Sequence, residues 1–196
     1  MNMLQKTAGG IVLLPLDSKL YSERKIFLEG EINNESAVEF VKQLLILSKE
    51  DKDSTIDIFI NSPGGEIVSG MLIYDAITSC STPIRMFCLG SAYSMAALIF
   101  ASGRKGDRCI FAHSQVMIHE PLLGNRVGGN CSSLKNISET LMDTRRMLNE
   151  ILSKHTGRTI SEVEEATSYD HFFSANEAIE WGLADKIADF STLIEG

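Results

Sequence analysis

Positive charge is in short supply: 18 lysines and arginines face 26 aspartates and glutamates, a net charge of -8. Binding to nucleic acid or to an anionic membrane surface needs a basic face, so neither is expected as a partner. The two signs are interspersed, as on an ordinary solvated surface. Cysteines at metal or redox spacing are missing too. Cys80, Cys88, Cys109 and Cys131 contain no C-x-x-C, and their mostly apolar surroundings predict reduced core residues of a cytoplasmic protein. No stretch reaches the roughly 18 apolar residues of a membrane span. Met1 to Ala8 carries one lysine and leads only into the short apolar run Ile11 to Leu16, which is not the pattern of a secretory signal. The glycine-interrupted stretch Leu123 to Asn130 matches neither G-x-x-x-x-G-K-[ST] nor a strand followed by G-x-G-x-x-G, so it reads as a flexible strand or loop rather than a nucleotide cradle. His119-Glu120-Pro121 does not continue to H-E-x-x-H. No cofactor and no metal is expected.

What is present is enough for one domain. A chain of 196 residues, 44% of them hydrophobic, buries roughly 70% of its surface on folding. Lys25 to Gly30 reads as a strand, and Asn33-Asn34 caps a helix carrying Val38, Val41, Leu44, Leu45 and Leu47 near helical spacing. Thr55 to Ile60 reads as a partly buried strand ended by the breaker Asn61-Ser62-Pro63-Gly64-Gly65, followed by a helix from Glu66 to about Ser79 and a strand from Ile84 to Leu89. Strand, crossover helix and strand form a right-handed βαβ unit with parallel strands. The pattern repeats through an apolar helix, Met95 to Ser102, into Cys109-Ile110-Phe111 and Val116-Met117-Ile118, which predicts the α/β class. A long helix runs from about Ser132 to His155. Its apolar stripe is longer than a small sheet can cover, so either ordinary core packing or a second subunit receives the remainder. Thr159 to Glu162 and Ser174 to Glu177 read as capping boxes.

In parallel sheets, ligands bind beyond the carboxyl ends of the strands. Three successive ends here carry Gly64-Gly65, the turn Gly90 to Met95, and His119. Ser94 sits at a strand-to-helix turn, where a serine is either a helix cap or a nucleophile with unpaired backbone N–H groups beside it. Gly65 and Met95 are placed to offer such groups, and His119 is placed beside Ser94. Asp170, before Phe172 and Phe173, reads by itself as a turn residue. His113 and His155 have no comparable placement and read as structural.

Four segments resemble the motifs of the Clp protease proteolytic subunit family, in the family's order: Phe59 to Gly65, Gly90 to Met95, Met117 to Pro121, and Asp170 to Ala178. Tyr74-Asp75, His155-Thr156-Gly157 and Trp181 to Asp185 also fit, so the resemblance runs from about Ser18 to Ile187. It implies a ClpP/crotonase-like fold, a repeated ββα spiral with a protruding long handle helix. Residues 1–17 would be an N-terminal axial segment and 18–196 a single peptidase domain, with the handle at about 122–155. It implies a serine endopeptidase with Ser94 as nucleophile, His119 as general base and Asp170 as orienting acid, and with the oxyanion hole at the N–H groups of Gly65 and Met95. No cofactor is implied. The implied partners are polypeptide substrates and a AAA+ unfoldase of the ClpX, ClpA or ClpC type. The implied assembly is a homo-tetradecamer of two heptameric rings, or mixed rings with a paralogue.

The chain departs from the family pattern at Ser91, Tyr93 and Ala96 around the nucleophile, at Ser168, Tyr169 and His171 around the acid, and at Asp57 and Ser79, where aromatics usually help receive the unfoldase. These departures favour, as the alternative, a weakly active or regulatory ring subunit in a mixed assembly. A crotonase-like enzyme acting on an acyl-CoA shares the fold and an oxyanion hole, and the Ser, His and Asp set stands against it.

Overall fold

Ile56 to Ile60 is buried at every position, which for an extended chain means that both faces of the strand are covered. In the computed structural model, which describes residues 1–7, 10–124 and 128–193, this strand lies inside a sheet of seven. The chain opens with an antiparallel hairpin, β1 (Asn2–Thr7) and β2 (Gly10–Pro15), forming its own two-stranded sheet, and a short helix, α1 (Leu16–Ser22). Next come β3 (Lys25–Ile32), α2 (Asn34–Glu50), β4 (Ile56–Gly65), α3 (Ile67–Ser79), β5 (Ile84–Tyr93), α4 (Met95–Ala101), β6 (Arg108–Phe111) and β7 (Gln115–Ile118). The remainder is α5 (Cys131–Thr156), α6 (Ile160–Thr167), β8 (His171–Ser174), α7 (Ala175–Trp181), β9 (Lys186–Ala188) and a 3-10 turn at Phe190–Leu193. The cap expected at Asn33 forms as a capping box with Ser36, and the boxes expected at Thr159 and Ser174 form with Glu162 and Glu177.

The parallel order is β3-β4-β5-β6-β9, with β7 pairing both β5 and β8. Strand β5 therefore forks. Met86 to Cys88 pairs with β6, while Ser91 to Tyr93 pairs with β7. At the fork, Gly90 adopts a φ of 96°, a left-handed value that favours glycine. The buried Ser114 hydroxyl bridges the gap, accepting from Gly90 N at 2.8 Å and donating to Cys88 O at 3.1 Å. Strand β8 pairs with β7 antiparallel.

Two strands run further than their sequence breakers suggest. β4 continues through Asn61-Ser62-Pro63-Gly64-Gly65 and β5 through Gly90 to Tyr93, each with a register irregularity rather than an end. The fully buried Ser62 side chain makes this possible in β4, because its hydroxyl donates to Gly30 O at 2.6 Å and accepts from Gly64 N at 3.1 Å. Pro63 supplies no N–H, and Ser62 replaces part of the missing ladder.

All seven residues of α4 are buried, so this short apolar helix is the centre of the main core, between the sheet and α3. The opposite face of the sheet carries a smaller cluster of Phe59, Phe87, Cys109 and Ala188. Phe27, Phe59 and Phe87 stack across β3, β4 and β5 with centroids 4.8 and 5.0 Å apart. Below α4, Arg108 is 1% exposed; its guanidinium pairs with Asp185 at 2.6 Å and donates to the carbonyls of Ala101, His155 and Gly182. Burial pushes the Asp185 carboxyl up, but hydrogen bonds from Arg108 outweigh it and leave the group below its ordinary value.

The long helix forms as α5, whose last turns are buried with the core at Leu148, Asn149, Leu152 and Thr156. Upstream, Leu134, Met142 and Met147 stay exposed, so the surplus stripe is not covered within this chain. Of the stretch before it, residues 125–127 lie outside the described residues, and with them the centre of the segment expected to be flexible. Cys131 corrects one expectation: it is exposed at the first turn of α5, whereas Cys88 and Cys109 are buried and Cys80 is half-buried. Among the described residues, no helix is long and apolar enough to cross a membrane.

Candidate active site

A serine that merely caps a helix has extended backbone and a side chain accepting from the first turn. Ser94 has neither. Its φ is 53° and its ψ is -122°, and its side chain makes no capping hydrogen bond among the described residues. A non-glycine residue in that region carries strain of about 1–3 kcal/mol, which the surrounding packing must hold. Here Ser94 N donates to Met117 O at 2.8 Å, fastening the turn to β7. Two glycines let neighbouring chain close in on it. A Cβ on Gly64 would sit 2.6 Å from Tyr93 O and 2.8 Å from Ser94 Cβ, and one on Gly70 would meet Met95 Cε at 2.4 Å.

The hydroxyl instead faces histidine. Ser94 Oγ is 2.8 Å from His119 Nε2, and His119 Nδ1 is 3.2 Å from Asp170 Oδ1. The second contact follows from strand register. Ile118 pairs with His171 across the antiparallel β7–β8 ladder, so the next step along one strand and back along the other sets His119 opposite Asp170. Glu120 N reinforces it by donating to Thr167 O at 2.7 Å. An ionised carboxylate only accepts, so the imidazole proton belongs on Nδ1, and the Nε2 lone pair is free to accept from the Ser94 hydroxyl. The His119 side chain is 16% exposed and that of Asp170 64%, so the acid end of the relay stands in water.

Gly65, Ser94, Met95 and His119 line one cavity of about 240 Å³. Met95 N–H opens α4 and lies outside the helix's own ladder. Gly65 has a φ of 155°, and a Cβ there would be 2.1 Å from Ile32 O. This glycine is therefore demanded by close packing on β3, a reason the sequence alone does not supply. The arrangement brings together a hydroxyl, a ring nitrogen that can take its proton and a carboxylate on the far side of the ring, with Gly65 and Met95 on the wall of the same cavity.

Other sequence candidates resolve differently. Tyr93, one of the departures beside Ser94, does not line the cavity; its hydroxyl donates to Gln115 Oε1 at 3.0 Å and its ring meets Phe172 edge-on at 5.6 Å. His171, beside the acid, stacks between Tyr169 and Phe173 at 5.5 and 4.2 Å. Asp57 is buried in an ion pair with Arg85 at 2.7 Å. His155 is structural, 3.1 Å from the Tyr74 hydroxyl. Asn149, which sequence pattern passes over, lies on the cavity wall. Its only signal is that it interrupts the apolar stripe between Leu148 and Leu152.

Compared with known protein families, the chain matches the family model described as Clp protease over residues 12–191.

Proposed function

The chain belongs to the Clp protease family, and from that premise we propose that it is a serine endopeptidase subunit that cleaves unfolded polypeptides. The observation that carries the reading is the 2.8 Å approach of Ser94 Oγ to His119 Nε2, with Asp170 on the far side of the ring. Family membership implies a ClpP-like peptidase subunit, oligomer formation and work with Clp ATPases.

In this reading Ser94 Oγ attacks the scissile carbonyl while His119 Nε2 takes its proton. The C–O bond forms, and the carbonyl electron pair moves onto oxygen. The N–H groups of Gly65 and Met95 receive that oxyanion, each such donor lowering the barrier by roughly 3–4 kcal/mol. Collapse of the intermediate breaks the C–N bond, and His119 returns the proton to the leaving amine. Water then repeats the sequence on the acyl-enzyme. Asp170 keeps the Nδ1–H tautomer and stabilises the imidazolium. The substrate binds as an extended strand, fed by a AAA+ unfoldase that supplies the ATP-driven step.

The exposed apolar residues of α5, Leu134, Met142 and Met147, support a role for this helix as the handle between two stacked rings, with residues 1–17 at the axial pore. A second reading, a weakly active subunit that relies on a partner in mixed rings, is favoured by the solvent exposure of Asp170. The test is labelling with a fluorophosphonate probe, peptide hydrolysis and native mass on the purified protein. Wild type is expected to be labelled and Ser94→Ala not; labelling that survives the substitution overturns the nucleophile. Hydrolysis by the isolated protein at a rate unchanged by an active partner subunit overturns the second reading.

A further inference from the structure

A second cavity, of about 330 Å³, opens between the last turns of α3 and α5 and the turn that follows α4. β5 starts beside it at Ile84 and runs ten residues, so the Ser94 end of that strand lies roughly 30 Å away. The lining includes Arg104, Lys154 and His155 and no aspartate or glutamate, in a chain with an excess of acidic side chains. Neither Arg104 nor Lys154 makes an ion pair or a side-chain hydrogen bond among the described residues. Basic residues beside helix C-termini ordinarily answer the free carbonyls of the last turn. Those carbonyls are largely taken here by other donors: Arg108 donates to Ala101 O and His155 O, Gly103 N to Phe100 O, Gly157 N to Ser153 O, and Cys80 N to Ile77 O. Thr82 is 4% exposed and lines the same wall, and its hydroxyl has no hydrogen-bond partner among the described residues. That oxygen is accessible rather than sealed, and in a side chain so buried the space it opens on is the cavity. Positive charge reaches inward as well, since burial, then Lys154 and Arg108, hold the His155 imidazole below its ordinary value.

We propose that this cavity binds a phosphate monoester. The phosphoryl dianion lies between the Arg104 guanidinium and the Lys154 ammonium and accepts from the Thr82 hydroxyl, while Ile77, Pro83 and Ile84 receive the carbon body of the ester. Two uncommitted cations with no carboxylate beside them suit a dianion that carries several acceptor oxygens. Free phosphate satisfies the same donors but leaves the apolar wall in water, so the ester binds more tightly. The site is independent of the peptidase reading and stands whether or not Ser94 is a nucleophile.

The test is calorimetry on the full-length protein at pH 8, where a phosphate monoester is a dianion, in about 150 mM sodium chloride so that diffuse attraction is screened. Phenyl phosphate is expected to bind once per chain and more tightly than inorganic phosphate. Arg104→Gln and Lys154→Gln, both at exposed positions, should each weaken it at least about tenfold, and Thr82→Val, which removes only the hydroxyl, about fivefold. Cys80, half-buried on the same wall, gives a second readout. Saturating phenyl phosphate should slow its alkylation by iodoacetamide, read by peptide mapping, and leave the exposed Cys131 reacting as before. Absence of binding by both phosphates overturns the inference. So does binding that Arg104→Gln and Lys154→Gln leave within about twofold of wild type, or Cys80 alkylation unchanged at saturation. Inorganic phosphate binding as tightly as phenyl phosphate overturns the assignment of an ester. Should Thr82→Val unfold, the two variants at exposed positions carry the test.

Discussion

Replacing Gly64 with alanine tests whether the geometry of Ser94, the proposed nucleophile, is held by backbone packing. Gly64 has a φ of 90°, where a Cβ costs about 1–2 kcal/mol before it touches anything. The Cβ would also lie 2.6 Å from Tyr93 O, 2.8 Å from Ser94 Cβ and 3.0 Å from Met95 N. Two of those atoms are backbone and the third is the first atom of the nucleophile's side chain, so no flexible side chain can yield. The turn itself must shift, and it carries both Ser94 Oγ and the Met95 N–H. Misplacing a reacting group by about 1 Å removes roughly a hundredfold of rate, so kcat/KM of Gly64→Ala is expected to fall by about two orders of magnitude, with KM changing much less. The control is Gly157→Ala. Gly157 has a comparable φ of 79°, but a Cβ there meets nothing within 4 Å among the described residues. It should lower Tm by the strain alone and leave kcat/KM and fluorophosphonate labelling intact. A Gly64→Ala enzyme within about threefold of wild type, with a Tm loss no larger than the control's, would refute the reasoning.

Asp170→Asn should lower kcat, but by well under the roughly 10⁴-fold attributed to a buried triad aspartate, because water already reaches a side chain that is 64% exposed; a full 10⁴-fold loss in the assembled protein would mean that assembly buries it. Burial, then the charges of Lys154 and Arg108, hold the His155 imidazole below its ordinary value of 6.5. Below that pH the unfolded chain binds a proton the folded chain refuses, so stability falls as pH falls. Thermal unfolding of His155→Gln should therefore show a shallower loss of Tm between pH 7 and 5 than wild type; parallel curves contradict this. Burial pushes the Cys88 thiol up to about 12, while Cys131 is exposed. Iodoacetamide at pH 8, read by peptide mapping, should modify Cys131 in the folded protein and Cys88 only after denaturation.

Ser94 and His119 were legible as candidates because each stands just beyond a short, strongly patterned element. Apolar runs terminate at Ile60, Leu89 and Ile118, and the residues after each must lie at one edge of a parallel sheet. Asp170 was not legible this way. Its placement depends on β8, a four-residue strand whose pattern, with Phe172 exposed and Phe173 buried, cannot be told from a turn until β7 is there to pair with it. Only the family resemblance picked it out of the sequence. The same limit hid the fork in β5: Gly90 reads as a strand end, and it takes Ser114, 24 residues on, to satisfy the backbone on both sides of it.

Asn149 marks the opposite kind of illegibility. One polar residue on an apolar helix stripe is invisible to periodicity, which scores the stripe and ignores its exception. Its burial appears only when α6 packs on α5, where Thr167 Oγ1 comes within 3.4 Å of Asn149 Oδ1 at the wall of the cavity beside Ser94. Local pattern can thus pick out candidate groups at strand ends, whereas a polar residue folded into the core is placed by long-range packing.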